Sequence, residues 1–196
     1  MYKLSQASDK VTKQRIVDCA KALFSQKGYA ATSIQDICKS AGCSKGGMYH
    51  HFVNKEDLFV HIAETAFTGS WEEWSRRSVG IDDMEELFYV FSDYFVDTLQ
   101  RPLSKAAEEF LRVTAGSESA IRFIGIMNDY MRHFEDFIGR VIASGYLKEE
   151  DPKTLAFIVL SFYSGLSDSH AFMSKDEMKV LFRKSTELLL SGIRRS

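Results

Sequence analysis

Between Ser33 and Phe52 the chain concentrates side chains suited to binding a polyanion. Lys45, Tyr49, His50 and His51 offer hydrogen-bond donors within a few residues of one another, preceded by Ser44 and interrupted by the pair Gly46-Gly47. Each glycine costs a helix about 1 kcal/mol relative to alanine. Two in succession near a helix start suggest that lack of bulk is being used, and close approach of backbone to DNA is one such use. The plainer alternative is a frayed first turn on a surface helix. The whole stretch has the layout of a helix-turn-helix: a short helix, a turn at Gly42, and a second helix that exposes small and polar side chains at its beginning. Such a unit sets the second helix in the major groove with its first residues at base edges.

Other constellations carry less. Gly165-Leu166-Ser167-Asp168-Ser169 faintly resembles a nucleophile elbow, but the final glycine is missing and no strand precedes it. His61-Ile62-Ala63-Glu64 lacks the second histidine of a zinc helix, and no phosphate-loop lysine motif occurs. His50 and His51 are consecutive, and consecutive helical residues diverge by about 100°, so no metal is expected there. Cys19, Cys38 and Cys43 form an odd set without a CxxC pair. They read as small buried hydrophobes, with a redox or metal role as the lesser alternative. No enzyme activity, cofactor or metal is expected.

The elements that must position these residues read as helices throughout. Lys10–Lys27 is amphipathic through Ile16, Cys19, Ala20, Leu23 and Phe24, and Gly28 stands where a C-cap belongs. Ser33 with Asp36 three residues on forms an acidic capping box for a second helix ending at Ala41. Ser44 caps a third short helix, and Asn54 caps a fourth that runs to about Ser75. Further helices are expected at Asp82–Gln100, Leu103–Ala115, Ser117–Ser144, Pro152–Phe172 and Lys175–Arg194. The breaks fall at Gly80, Arg101-Pro102, Gly116, Gly145 and Asp151-Pro152. The fold class is all-α. A three-helix head over residues 1–53 is expected to bind DNA, and residues 54–196 are expected to form a carboxy-terminal bundle of about six helices.

Composition and charge agree. The 196 residues are 45% hydrophobic and 27% charged with only two prolines, which excludes a disordered or low-complexity chain. No run of some eighteen apolar residues appears, and the stretch from Met1 to Thr12 has no apolar signal region, so a cytoplasmic location is expected. The net charge of −2 hides an asymmetry: Met1 to Val60 carries +4 and the remainder −6. A basic head precedes an acidic body, which favours a polyanionic partner for the head.

These residues resemble the TetR-type transcriptional regulators. The likeness runs through Gly28-Tyr29-Ala30-Ala31-Thr32-Ser33, then Ile37-Cys38-Lys39-Ser40-Ala41-Gly42-Cys43-Ser44-Lys45-Gly46-Gly47-Met48-Tyr49-His50-His51-Phe52, and then Asn54-Lys55-Glu56-Asp57-Leu58. It covers about residues 10–67. The family often has alanine where Cys38 stands, valine at Cys43 and leucine at Met48, all of them buried-type substitutions. The resemblance implies a DNA-facing surface of Lys45, Gly46, Gly47, Tyr49 and His50 beside the capping Ser44. It implies that Thr32, Ser33, Gln35, His51 and Lys55 touch or flank the phosphate backbone. Lys45 can donate to guanine O6 and N7, while Tyr49, His50 and Lys55 suit phosphate oxygens. Lys10, Lys13 and Arg15 either add electrostatic contacts or form a solvated face.

A head of this size reads few base pairs, so specific binding calls for a homodimer on a pseudo-palindromic operator, with heads about 34 Å apart or a multiple of that. The family pattern implies pairing through the last two helices. Phe157, Ile158, Leu160, Ser161, Gly165, Leu166 and Ser169 supply one stripe there, and Met178, Leu181, Phe182, Leu188 and Leu189 the other. Nineteen aromatic residues follow Val60. The resemblance favours a pocket for a small hydrophobic effector near Trp71, Phe91, Phe95, Phe110, Met127, Tyr130 and Met131, with Asn128, Arg112 or His133 as polar anchors. The expected function is a repressor released from its operator by that effector, with the fourth helix joining head to body. The alternative is a DNA-binding dimer without a small ligand, whose body is a structural or protein-interaction module.

Overall fold

The computed structural model describes residues 2–98 and 103–195, with side chains from residue 9 onward. Among these residues the chain forms α1 (Tyr2–Lys27), α2 (Ile34–Ala41), α3 (Lys45–His51), α4 (Lys55–Ser78), α5 (Met84–Thr98), α6 (Leu103–Val113), α7 (Glu118–Ala143), α8 (Pro152–Ser167) and α9 (Lys175–Ile193). A 3-10 turn at Asp168–Ala171 separates the last two. The expected break at Arg101-Pro102 lies outside the described residues. No described helix is long and apolar enough to cross a membrane.

Local chemistry sets the ends of the short helices. Ser33 and Asp36 form the expected reciprocal box: the Asp36 N–H donates to Ser33 Oγ and the Ser33 N–H donates to the Asp36 carboxylate, each over 3.1 Å. Gly42 closes α2 in the left-handed region at φ 60, where a Cβ would be strained. Asp151 caps α8 through the Thr154 N–H, with Pro152 in the first turn. α8 stops at Ser167 rather than Phe172. There the Ser167 hydroxyl donates to the Ser164 carbonyl, and His170 Nδ1 lies 2.8 Å from Ser167 O, local bonds that compete with further helix. α9 begins with a second capping box, Ser174 with Glu177.

The chain divides into two compact units, one of residues 1–66 with 100–126 and one of residues 67–99 with 127–196. In the first, the ring of Phe59 lies edge-on to Phe24 and Tyr29 and stacks on Phe110 at 4.7 Å, and Phe123 completes the cluster. Ile16, Ala20, Ile37, Cys38, Ala41 and Met48 are buried around α1–α3. In the second, Phe91 contacts Trp74, Phe134 and Tyr163, and Tyr163 stacks on Phe182. The buried hydroxyl of Tyr163 pairs with that of Thr186 at 2.7 Å. Asp97 receives Arg77, Lys175 and Lys179, which fastens α4 and α9 to α5.

Candidate nucleic-acid interface

The first turn of α3 is held from within. The Gly47 N–H donates to Ser44 Oγ over 3.0 Å, and the Met48 N–H donates to the Ser44 carbonyl over 3.0 Å. Met48 is fully buried and anchors the helix to the core, while Lys45, Gly46, Tyr49 and His50 are exposed. The turn is therefore capped rather than frayed. A Cβ on Gly46 would meet nothing nearer than Ser44 Oγ at 3.8 Å, so the chain's own packing does not require that glycine. One on Gly47 would lie 3.4 Å from the same oxygen, ordinary contact. The chain's own packing therefore requires glycine at neither position.

The remaining expected residues divide by what holds them. Gln35 is exposed on α2. Ser33 is exposed, but its hydroxyl and N–H are engaged with Asp36; hydrogen bonding from Ser33 holds that carboxyl below its ordinary range. Thr32 is buried, and its hydroxyl donates to the Gly28 carbonyl over 2.7 Å. Lys55 Nζ donates to the carbonyls of Tyr29 and Thr32, each over 3.0 Å, and lies 4.2 Å from the Tyr29 ring centroid. Burial lowers the Lys55 ammonium, with Glu56 acting in the opposite sense. Thr32 and Lys55 therefore brace the α1–α2 connection, whereas Lys45, Tyr49 and His50 project from α3.

Three groups that sequence spacing did not reveal complete this region. Nε2 of both His50 and His51 lies 3.6 Å from one carboxylate oxygen of Asp9, an ion pair when the imidazoles are protonated. The consecutive rings converge because both reach the one carboxylate of Asp9 on α1. The ligand-capable atoms of these three residues lie within 4.8 Å of one another. Glu109 on α6 accepts the Ala30 N–H over 3.1 Å and its carboxylate covers Gly28, where the φ of +83 would strain any side chain. Arg122 on α7 reaches Asp57 at 3.2 Å. Only Gly28 left a sequence signal for these ties, because Glu109 lies 79 residues from its partner Ala30.

The expected effector residues do not all gather. Trp71, Phe95, Tyr130 and Met131 are partly buried against the core of the second unit, and Phe91 is buried within it. Trp71 meets Tyr130 edge-on and stacks on His133 at 5.0 Å. Burial raises the Tyr130 phenol to about 12, so it is neutral at physiological pH. Met127 is exposed, and Phe110 is buried in the other unit among Tyr29, Phe59 and Phe123. Asn128 and Arg112 are exposed.

The expected pairing stripes also separate. Leu160, Met178 and Phe182 are buried in the core of their own unit, while Phe157, Ile158 and Leu188 are 65%, 49% and 61% exposed. Ser161 and Gly165 are exposed as well, and Leu166, Ser169, Leu181 and Leu189 are half-buried. Ser167 closes α8 and has no strand before it.

Comparisons with known proteins address both parts of the chain. Residues 16–62 match the model described as bacterial regulatory proteins, tetR family, and residues 68–195 match that described as QacR-like protein, C-terminal region. The HTH-type transcriptional regulator QacR of Staphylococcus aureus is 25% identical over 190 residues, covering 92% of this chain and 97% of its own. The biofilm operon icaADBC HTH-type negative transcriptional regulator IcaR of the same species is 25% identical over 191 residues, covering 91% of this chain and 97% of its own. A crystal structure of a transcriptional regulator from Aquifex aeolicus is 27% identical with a TM-score of 0.65, covering 91% of this chain and 99% of that one.

Proposed function

The chain belongs to the tetR family of bacterial regulatory proteins, a DNA-binding transcriptional regulator and not an enzyme, and on that premise we propose that it is a repressor that a small hydrophobic effector releases from a palindromic operator. The observation that carries the reading is the first turn of α3. It is capped by Ser44, anchored by Met48, exposed at Lys45 and Tyr49, and bare at Gly46 for no reason internal to the chain. Lys45 reads a base edge, Tyr49 and His50 meet phosphates, and Gln35, Ser33 and His51 flank the backbone path. Thr32 and Lys55 contribute from behind by fixing the connection that orients α2, and the Lys55 charge adds to the field felt by phosphates. Repression agrees with the relative whose name describes a negative transcriptional regulator.

Homodimerisation runs through α8 and α9. Phe157 and Ile158 on α8 and Leu188 on α9 are exposed apolar side chains, and the exposed Ser161 and Gly165 on α8 permit close helix approach. The effector site lies in the second unit, with Trp71, Phe95, Tyr130 and Met131 as apolar wall, Phe91 as floor, and the neutral Tyr130 phenol or His133 as polar anchor. α4 supplies Lys55, Asp57 and Phe59 to the first unit and Trp71 and Trp74 to the second. An effector that prefers one placement of α4 therefore shifts the DNA-binding equilibrium by its differential affinity. The test is footprinting on the promoter beside its own gene, followed by a thermal-shift screen of hydrophobic compounds. Protection of an inverted repeat, lost on adding a stabilising compound, supports the reading. Protection that no stabilising compound relieves favours the body as an interaction module.

A further inference from the structure

Cys38 and Cys43 face one another across the turn between α2 and α3. The Cys43 N–H donates to the Cys38 carbonyl over 3.0 Å, the Gly42 N–H donates to Lys39 O over 3.4 Å, and Gly42 is left-handed. This is the Schellman arrangement, whose two end residues lie side by side. Such a backbone bond sets their Cα atoms at roughly the separation, about 4.4–6.8 Å, that a disulfide spans. Burial, and after it the neighbouring Cys43 thiol, raises the Cys38 thiol, while the Lys45 charge works in the opposite sense. Cys38 is buried and Cys43 half-exposed, and neither is in a disulfide. Both positions are ones where the TetR pattern often has alanine and valine, so packing of the turn does not require sulfur at either.

We propose that Cys38 and Cys43 are a reversible oxidation site: a peroxide converts the pair to an intramolecular disulfide within the helix-turn-helix, and the oxidised protein releases its operator. The half-exposed Cys43 thiolate attacks one oxygen of hydrogen peroxide. The S–O bond forms as the O–O bond breaks, one water leaves after protonation, and Cys43 becomes a sulfenic acid. The Cys38 sulfur then attacks the Cys43 sulfur; the S–S bond forms, the S–O bond breaks and a second water leaves. The sulfur pair loses two electrons, peroxide gains them, and both thiol protons end in water. Closing the bond draws the two Cβ atoms to about 3.8 Å. Cys43 directly precedes the capping Ser44, so that displacement enters the first turn of α3, where Lys45 stands.

The inference rests on DNA binding by α3, and the test separates the two. The reduced full-length protein is first measured on its operator; absence of binding there would refute the DNA reading, not this one. Treated with hydrogen peroxide, wild type loses the mass of two hydrogens, yields a Cys38–Cys43 linked peptide, and binds operator about tenfold or more weakly, the scale of one lost base-pair contact. Dithiothreitol restores both. Cys38→Ala and Cys43→Val, the residues of the family pattern, bind operator as reduced wild type does and do not respond through a disulfide. Oxygen addition without loss of hydrogens, or a disulfide that forms and leaves operator affinity unchanged, overturns the proposal.

Discussion

In the amino-terminal unit, Tyr29, Phe59 and Phe110 pack ring against ring, and the exposed residues of α3 are Lys45, Tyr49 and His50. In the second unit, Phe91, Tyr163 and Phe182 pack in the same manner, but the exposed residues of α8 and α9 include Phe157, Ile158 and Leu188. Similar aromatic cores thus support different surfaces. One presents donors on a short capped helix, suited to a charged duplex. The other exposes apolar side chains on α8 and α9, the feature on which the proposed dimer contact rests. The polar side chains that tie each unit together differ too. Lys55 and Thr32 brace a loop in the first, while Asp97 gathers three cations that tie long helices together in the second.

That contrast can be broken most severely at the rings. Phe59→Ala and Phe91→Ala each remove a buried aromatic and should cost about 3–5 kcal/mol in denaturant unfolding. Amide exchange should rise first in α1 and α2 for Phe59→Ala and in α5 and α8 for Phe91→Ala. Equal loosening of both units by either variant would show a single cooperative block instead. Asp97→Asn should cost about 2 kcal/mol at pH 7, because a half-buried charged acceptor loses three cationic partners. Burial alone would raise the Asp97 carboxyl, but hydrogen bonds from Arg77, Lys175 and Lys179 outweigh it and hold it well below the usual carboxylate range. A depressed folded value means that the stability is full above the unfolded value of about 3.9 and is lost as pH falls toward the folded one. The gap between wild type and Asp97→Asn in urea titrations should therefore narrow below about pH 4.

Smaller effects sharpen the comparison inside the first unit. Lys55→Ala removes two charge-assisted bonds to the carbonyls of Tyr29 and Thr32 and should cost about 1–2 kcal/mol of stability, discounted for partial exposure. Its operator affinity should fall alike for all sequences, with a salt dependence flatter by at most one ion. Ser44→Ala removes the cap of α3 and should cost about 1 kcal/mol by thermal unfolding, a loss that Asp151→Ala should match at the start of α8.

Much of the first unit was legible because short-range chemistry marks it. Ser33 with Asp36, Gly42, Ser44 and the glycine pair each leave a local sign, and both ends of α2 and the start of α3 fall where those signs stand. The long helices carry fewer such signs. α1 extends to Tyr2 ahead of its amphipathic stretch, and α8 stops short at Ser167 because serine and histidine side chains turn onto nearby carbonyls. Exposure of the candidate residues was legible where it follows from helix position, as at Lys45 and Tyr49. It was not legible where a residue's role depends on a distant partner: Lys55 is drawn to carbonyls 23 and 26 residues before it, Phe110 to Tyr29 and Phe59, and Glu109 to Ala30. Aromatic content alone cannot distinguish a ring in a core from one beside an effector, which is why Phe110 fell among the expected effector residues.

The division between an outward reading edge and an inward brace is tested most directly by selecting operator sequences from a random pool with wild type, Lys45→Ala and Lys55→Ala at fixed salt. Lys45→Ala should lose preference at one base position in each half-site, at a cost of about 1–3 kcal/mol there, while Lys55→Ala should keep the wild-type preferences at lower affinity. An unchanged base preference in Lys45→Ala, or a changed one in Lys55→Ala, would contradict the assignment of α3's first turn as the surface that reads DNA.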